Sequence, residues 1–166
     1  MTAKEYNNCV AHCADDAMRF AVRLCSRRED CEDAVQEALA SLWRHRSVVS
    51  AAKGKSYLLS ATYRRLMSCF RHDAVVQDYA VDMQAVNGDC CQPDTTFDLR
   101  DAIERALEAL PEVQRAILQL RDVEGYSYAE IGETLSISDK QVQVYLFRAR
   151  VAMRKQLKSM GYGTDR

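Results

Sequence analysis

Residues 124–157, EGYSYAEIGETLSISDKQVQVYLFRARVAMRKQL, place two runs of helical periodicity on either side of a short turn, which leaves the segment few ways to fold. Ser127 followed by Glu130 is a capping-box pattern, in which hydroxyl and carboxylate satisfy backbone N–H groups that an opening helix leaves unpaired. The helix it opens turns Ala129, Ile131 and Leu135 inward. Ser136 to Ser138 form the turn, and Asp139 stands near the start of the next helix. From there Val142, Leu146, Ala149 and Met153 recur at spacings of three and four, which is a core stripe. The remaining face carries Lys140, Gln141, Val144, Phe147, Arg148 and Val151, with Gln143 and Arg150 at its margin.

That layout is a helix-turn-helix unit, whose second helix enters a DNA major groove. The amides of Gln141 and Gln143 suit adenine edges, and Val144 and Phe147 suit thymine methyl groups. Arg148, Arg150, Arg154 and Lys155 serve the phosphate backbone, which positions a protein without reading sequence. The competing reading is an ordinary amphipathic helix with a solvated basic face. An outward-facing Phe147 among polar neighbours weighs against it.

The rest of the chain reads as helical too. Two prolines and six glycines in 166 residues, with many Ala, Leu, Arg and Glu, point to an all-α fold. The first helix, Tyr6 to Cys25, gathers Val10, Ala14, Ala17, Met18, Ala21 and Leu24 on an apolar side. In DCEDAVQEALASLWRHR, residues 30–46, an inner stripe of Ala34, Val35, Ala38, Leu39, Leu42 and Trp43 leaves Glu32, Asp33, Gln36 and Glu37 outside. Next, HRSVVSAAKGKSYLLSATYRRLMSCFRHD interleaves Lys53, Lys55, Arg64, Arg65 and Arg71 with Tyr57, Tyr63 and Phe70. Cations for a phosphate backbone and aromatic faces for unstacked bases are what a single-strand binding surface needs. Core packing is the plainer role for Phe70, whereas Tyr57 and Tyr63 suit either. Further on, residues 97–109 set Leu99, Ile103, Ala106 and Leu107 at helical spacing. Pro111 and Glu112 then open a helix bearing Val113, Ile117, Leu118 and Leu120, with Gly125 as its stop.

Charge is segregated along the chain. The net charge of −1 resolves into +4 over residues 1–72, −6 over 73–99 and +1 over 100–166. The acidic stretch holds Asp73, Asp78, Asp82, Asp89, Asp94 and Asp98 with no Lys or Arg, and includes Asn-Gly-Asp and Pro93. It reads as a linker, so the expected organisation is two helical domains, 1–72 and 97–160, joined by 73–96 and followed by a tail, 161–166.

Several functions are disfavoured. No apolar run reaches the roughly 18 residues that span a bilayer. The first residues lack the apolar stretch of a signal peptide, so a cytoplasmic protein is expected. Seven cysteines at irregular spacings suit reduced thiols packed as small hydrophobes. Neither Cys9, His12 and Cys13 nor the Cys90-Cys91 pair has zinc-site spacing, so no metal or other cofactor is expected. With no Gly-rich phosphate loop, no nucleophile motif and His12, His45 and His72 scattered, the chain does not read as an enzyme or a binder of small-molecule substrates.

The segment ALPEVQRAILQLRDVEGYSYAEIGETLSISDKQVQVYLFRARVAMRKQL is similar to region 4 of extracytoplasmic-function (ECF) sigma factors, small members of the sigma-70 superfamily. The features that carry the resemblance are Leu110-Pro111, Leu120-Arg121 to Gly125, Ser127 to Ile131, and Leu146 with Arg148-Ala149-Arg150. The chain departs from the family at Ser136, where Gly is usual, and at Gln143, Val144 and Tyr145. Residues 30–46 resemble region 2.2, and Tyr57-Leu58 stands where the family shows Trp-Leu. The family's Ala-Arg-Asn falls near Thr62-Tyr63-Arg64 and is not reproduced.

The resemblance implies an ECF sigma factor that directs core RNA polymerase to promoters, with an anti-sigma factor as a further partner. It assigns the upstream promoter element to Lys140, Gln141, Gln143, Val144, Phe147 and Arg148, and the polymerase clamp to Asp33, Gln36 and Glu37. To the downstream element and its melting it assigns Lys53, Lys55, Tyr57, Tyr63, Arg64 and Arg65. Two rival readings stand beside it. One is a self-sufficient helix-turn-helix regulator binding duplex operator DNA. The other is an interaction protein that docks on polymerase without reading promoters.

Overall fold

A computed structural model describes the backbone of residues 1–80 and 99–162, and the side chains of 1–71 and 99–162. Among the described residues there are helices and no strands, as the scarcity of breakers leads one to expect. Helix α1 (Ala3–Leu24) opens on a Thr2–Glu5 capping box, and α2 (Arg28–Arg44) follows after a sharp corner. A 3-10 turn, Ala51–Lys53, leads into α3 (Gly54–Ala80), whose backbone continues into the segment expected as linker. The remainder of that linker, with Cys90-Cys91, lies outside the described residues.

The second half comprises α4 (Leu99–Glu108), α5 (Glu112–Leu118), α6 (Tyr128–Leu135) and α7 (Asp139–Ser159). Pro111 is the N-cap of α5 rather than a residue inside it, with an extended ψ of 145°. The end of α5 widens into a π-helical turn, Gln119–Val123, and Gly125 stops it at φ +73°. Such turns occur mostly as single-turn interruptions and often at functional sites.

The helix-turn-helix is built as the sequence indicates. Ser127 and Glu130 form their reciprocal cap, and Ile131, Leu135, Val142, Leu146 and Ala149 are buried. Ala129 is exposed rather than inward, because it lies in the first turn of α6, ahead of the packed face. Ser136 ends α6 in the left-handed region, φ 58° and ψ 45°, which accounts for glycine being usual there. Gly132 meets a different demand: a Cβ there would lie 2.7 Å from the Ile137 carbonyl oxygen across the turn.

Both halves share one core. Phe20, Leu24, Leu59, Tyr63 and Leu66 from α1 and α3 belong to the same buried cluster as Ile117, Leu120, Ile131, Leu135 and Leu146. A smaller cluster of Ala38, Leu42 and Leu58 closes the far end of the first half. Two apolar expectations shift outward. Trp43 is half-exposed, with its face under the Arg46 guanidinium at 4.0 Å and its edge against Tyr6. On α4 it is Ala102 and Ala106 that are buried, since small side chains let that helix approach α7 closely, while Leu99 and Ile103 remain exposed.

Two substitutions at the turn should move stability in opposite directions. Ser136→Gly removes left-handed strain and should raise stability by about 1 kcal/mol. Gly132→Ala forces the turn apart and should lower it by about 1–3 kcal/mol. Thermal unfolding of the two variants measures both.

Candidate nucleic-acid interface

The outer face of α7 is open. Lys140, Gln141, Gln143, Val144, Phe147 and Arg148 are all exposed, and Phe147 shows 70% of its surface. Val144, Phe147 and Val151 line up at spacings of three and four as an apolar strip on a polar helix. With no packing partner for it among the described residues, the strip suits the shape and methyl groups of a major groove.

One residue on this face has a second task. Ser138 and Gln141 form another capping box: Gln141 Oε1 accepts from the Ser138 backbone N at 2.9 Å and from its hydroxyl at 3.0 Å. The amide NH2 of Gln141 takes no part in that cap, which leaves its donors for a base edge. The signal was present in the sequence as Ser-x-x-Gln, the same rule that identified Ser127 and Glu130. Arg150, at the margin, is held by Asp122 Oδ1 at 2.6 Å, which ties α7 to the π-helical turn.

The residues expected to bind the downstream element are differently placed. Lys55 Nζ lies 2.8 Å from Asp16 Oδ2 on α1 and 2.7 Å from Glu124 Oε2, just after the π-helical turn. Burial alone would lower the Lys55 pKa, but the two carboxylates outweigh it and the pKa rises, so the ammonium persists through neutral pH. Lys53 faces Glu133 on α6 at 3.5 Å. Tyr63 is only 7% exposed, within the shared core, and in this arrangement presents no face to a base. Burial is also the leading reason its phenol pKa is raised. Tyr57 lies at the other side of α3, its hydroxyl against Ser41 Oγ at 2.9 Å and His45 Nδ1 at 3.1 Å. Arg64 is exposed, with its Nε donating to the Ser60 carbonyl, and Arg65 pairs with Glu37 at 2.6 Å.

On α2, Asp33, Gln36 and Glu37 share an exposed face, with Glu32 half-exposed beside them. A feature the sequence reading missed lies on the opposite half. Leu99, Ile103, Leu107, Leu118 and Val123 line an apolar groove of about 610 Å³, rimmed by Arg23, Arg100 and Arg115. Gln119, 4% exposed, has neither amide atom hydrogen-bonded there. The apolar stripe of α4 was legible, but its exposure depends on how α4 packs.

Among the described residues no three His, Cys, Asp or Glu side chains converge as metal ligands. Burial, aided by Cys9, pushes the Cys13 thiol up to about 11, and burial beside Cys25 pushes Cys31 up to about 12. Both are therefore protonated thiols at neutral pH, not reactive thiolates. No described helix is long and apolar enough to cross a membrane.

Gln141→Glu and Phe147→Ala separate the roles on α7. Either Glu or Gln serves a capping box, so Gln141→Glu should keep stability within about 0.5 kcal/mol while weakening duplex binding by adding a negative charge near phosphates. Phe147→Ala, at an exposed position, should also leave stability within about 0.5 kcal/mol and weaken duplex binding. Thermal melts beside fluorescence-anisotropy titrations check both, and a large loss of stability from either would contradict this placement.

Both halves of the chain are similar to known proteins. Residues 9–74 match the family described as Sigma-70 region 2, and residues 100–153 match Sigma-70, region 4. The ECF RNA polymerase sigma factor SigE of Mycolicibacterium smegmatis is 28% identical over 149 residues, spanning 87% of this chain and 58% of that protein. SigL of Mycobacterium tuberculosis is 27% identical over 147 residues, spanning 86% of this chain and 83% of SigL. The fold is shared with the sigma factor RpoE of Bartonella quintana, solved in complex with the anti-sigma factor NepR, at a TM-score of 0.74 and 23% identity over 94% of this chain and 98% of that one. The two regions occur in order, each on the helices expected to carry it, and the chain belongs to the sigma-70 family as a member of its ECF subfamily.

Proposed function

We propose that this protein directs core RNA polymerase to specific promoters and helps to open them. The observation that carries the reading is the bare outer face of α7, where bases and phosphates have suitable partners and nothing in the described chain covers them. Lys140, Gln141, Gln143, Val144, Phe147 and Arg148 bind the upstream element. Because Gln141 keeps only its amide donors free, its partner is an acceptor on a base edge, such as adenine N7. The exposed acids of α2, Asp33 and Glu37 with Gln36 between them, dock on the polymerase clamp. Lys53, Lys55, Tyr57, Tyr63, Arg64 and Arg65 act on the melted downstream strand, where stacking contributes about 1–3 kcal/mol per base.

Catalysis belongs to the polymerase, and this chain works beside it in the cytoplasm without a cofactor. The apolar groove of α4 and α5 supports a seat for the polymerase flap. An anti-sigma factor is a further partner, as RpoE of Bartonella quintana has in NepR. The linker and tail boundaries at 73–96 and 161–166 are part of the same proposal.

In vitro transcription with core polymerase tests the function. Initiation from responsive promoters should require this chain together with core polymerase, and the chain alone should bind duplex DNA only weakly, as a monomer. Paired half-site binding by a dimer without polymerase would favour the stand-alone regulator. Asp33→Lys with Glu37→Lys should weaken core association by about tenfold, the scale of a disrupted interfacial charge contact, without loss of fold. Co-elution with core polymerase measures it.

A further inference from the structure

The surfaces proposed for promoter work are not equally accessible. The α7 face and the acidic α2 face are open, whereas α3 turns Lys55 and Tyr63 toward the second half, and Lys53, in the 3-10 turn before it, faces Glu133 while staying exposed. Several polar links cross the boundary between the halves within a largely apolar contact, Lys53 with Glu133 among them. Lys55 bridges Asp16 and Glu124. Ser60 Oγ donates to the Thr134 carbonyl at 2.9 Å, and Arg115 Nη1 donates to the Leu24 carbonyl at 3.2 Å. Glu124 is the telling residue: its side chain is 10% exposed, and it adds a second carboxylate, beside Asp16, to a cation that a DNA strand would otherwise claim.

We infer that the contact of α3 with α6 and Glu124 is an intramolecular lock, which withholds Lys55 and Tyr63 from a single strand while leaving the polymerase-docking and duplex-reading faces free. The withholding half of this inference rests on the promoter-melting role proposed for α3; the lock itself rests on the contacts alone. Glu124 is a substitute anion occupying the place of a phosphate at Lys55, and Tyr63 is stored in the core until the halves part. The apparent affinity for a melted strand is then the intrinsic affinity multiplied by the fraction of open molecules. An order of events follows: polymerase engages α2 and the second half first, and separation of the halves then releases α3.

The test uses the full chain, a fluorescent single-stranded oligonucleotide carrying a downstream-element sequence, and Glu124→Gln. Loss of one charge-assisted bond at a partly buried site should raise the open fraction, and with it single-strand affinity, by roughly fivefold. Glu133→Lys, on the exposed side of α6 opposite Lys53, should act in the same direction without disturbing the core. Glu29→Gln, the same charge change as Glu124→Gln at an exposed position in the first turn of α2, should have no more than the small general effect of one lost acid. Single-molecule energy transfer between dyes at Ala40 and Ser159 reads opening directly. More low-transfer molecules together with tighter strand binding support the lock. No change in either quantity for both interface variants overturns it, and opening without tighter binding overturns the withholding. Should the wild-type chain fail to support initiation with core polymerase while Glu124→Gln opens it and tightens strand binding, the lock stands and the sigma-factor reading falls.

Discussion

The structure depends on one apolar contact: the buried face of α3 against the helices of the second half. Leu59, Tyr63 and Leu66 share one buried cluster with Ile117, Leu120, Ile131 and Leu135, to which α1 adds Phe20 and Leu24. Burying a side chain of this size contributes about 1.5–3 kcal/mol, so a handful of them outweighs the polar links around them. The Lys55 pairs contribute less, because Lys55 is a third exposed and water screens them. Apolar burial thus supplies the adhesion. The charged groups fix which residues face each other, and they leave Lys55 without an uncompensated charge.

That division of labour explains how a chain of near-neutral net charge can serve a polyanion. Its cations are not spread evenly over the surface. One set lies exposed on α7 beside an apolar strip. Another lies on α3 and the turn before it, where Lys53, Lys55 and Arg65 are answered by the chain's own acids, Asp16, Glu37, Glu124 and Glu133. Self-pairing of this kind lowers nonspecific attraction to DNA by the free protein and makes tight binding conditional on a change of shape. The acids of α2 complete the pattern, since they favour a basic partner and repel DNA.

Most helices and the whole α7 face were legible in the sequence, because both follow from local rules. Periodicity placed Val142, Leu146 and Ala149 inside and Phe147 outside, and the capping box at Ser127 fixed the start of α6. The Ser138–Gln141 cap was legible by the same rule and was overlooked. What was not legible depends on contacts distant in sequence. Tyr63 reads as either a stacking residue or a core residue until the second half is seen to cover it. The Lys55–Glu124 pair spans two regions that no periodicity relates, and the exposure of Leu99 and Ile103 follows from small residues, Ala102 and Ala106, taking the buried side of α4.

The central claim is that one chain reads duplex through α7 and holds a melted strand through α3, the second only in company with polymerase. Permanganate footprinting of a responsive promoter tests it most directly, because unpaired thymines react and paired ones do not. The account predicts reactive thymines at the downstream element only when this chain and core polymerase are both present. Equal reactivity with core polymerase alone, or none with the two together, would contradict it.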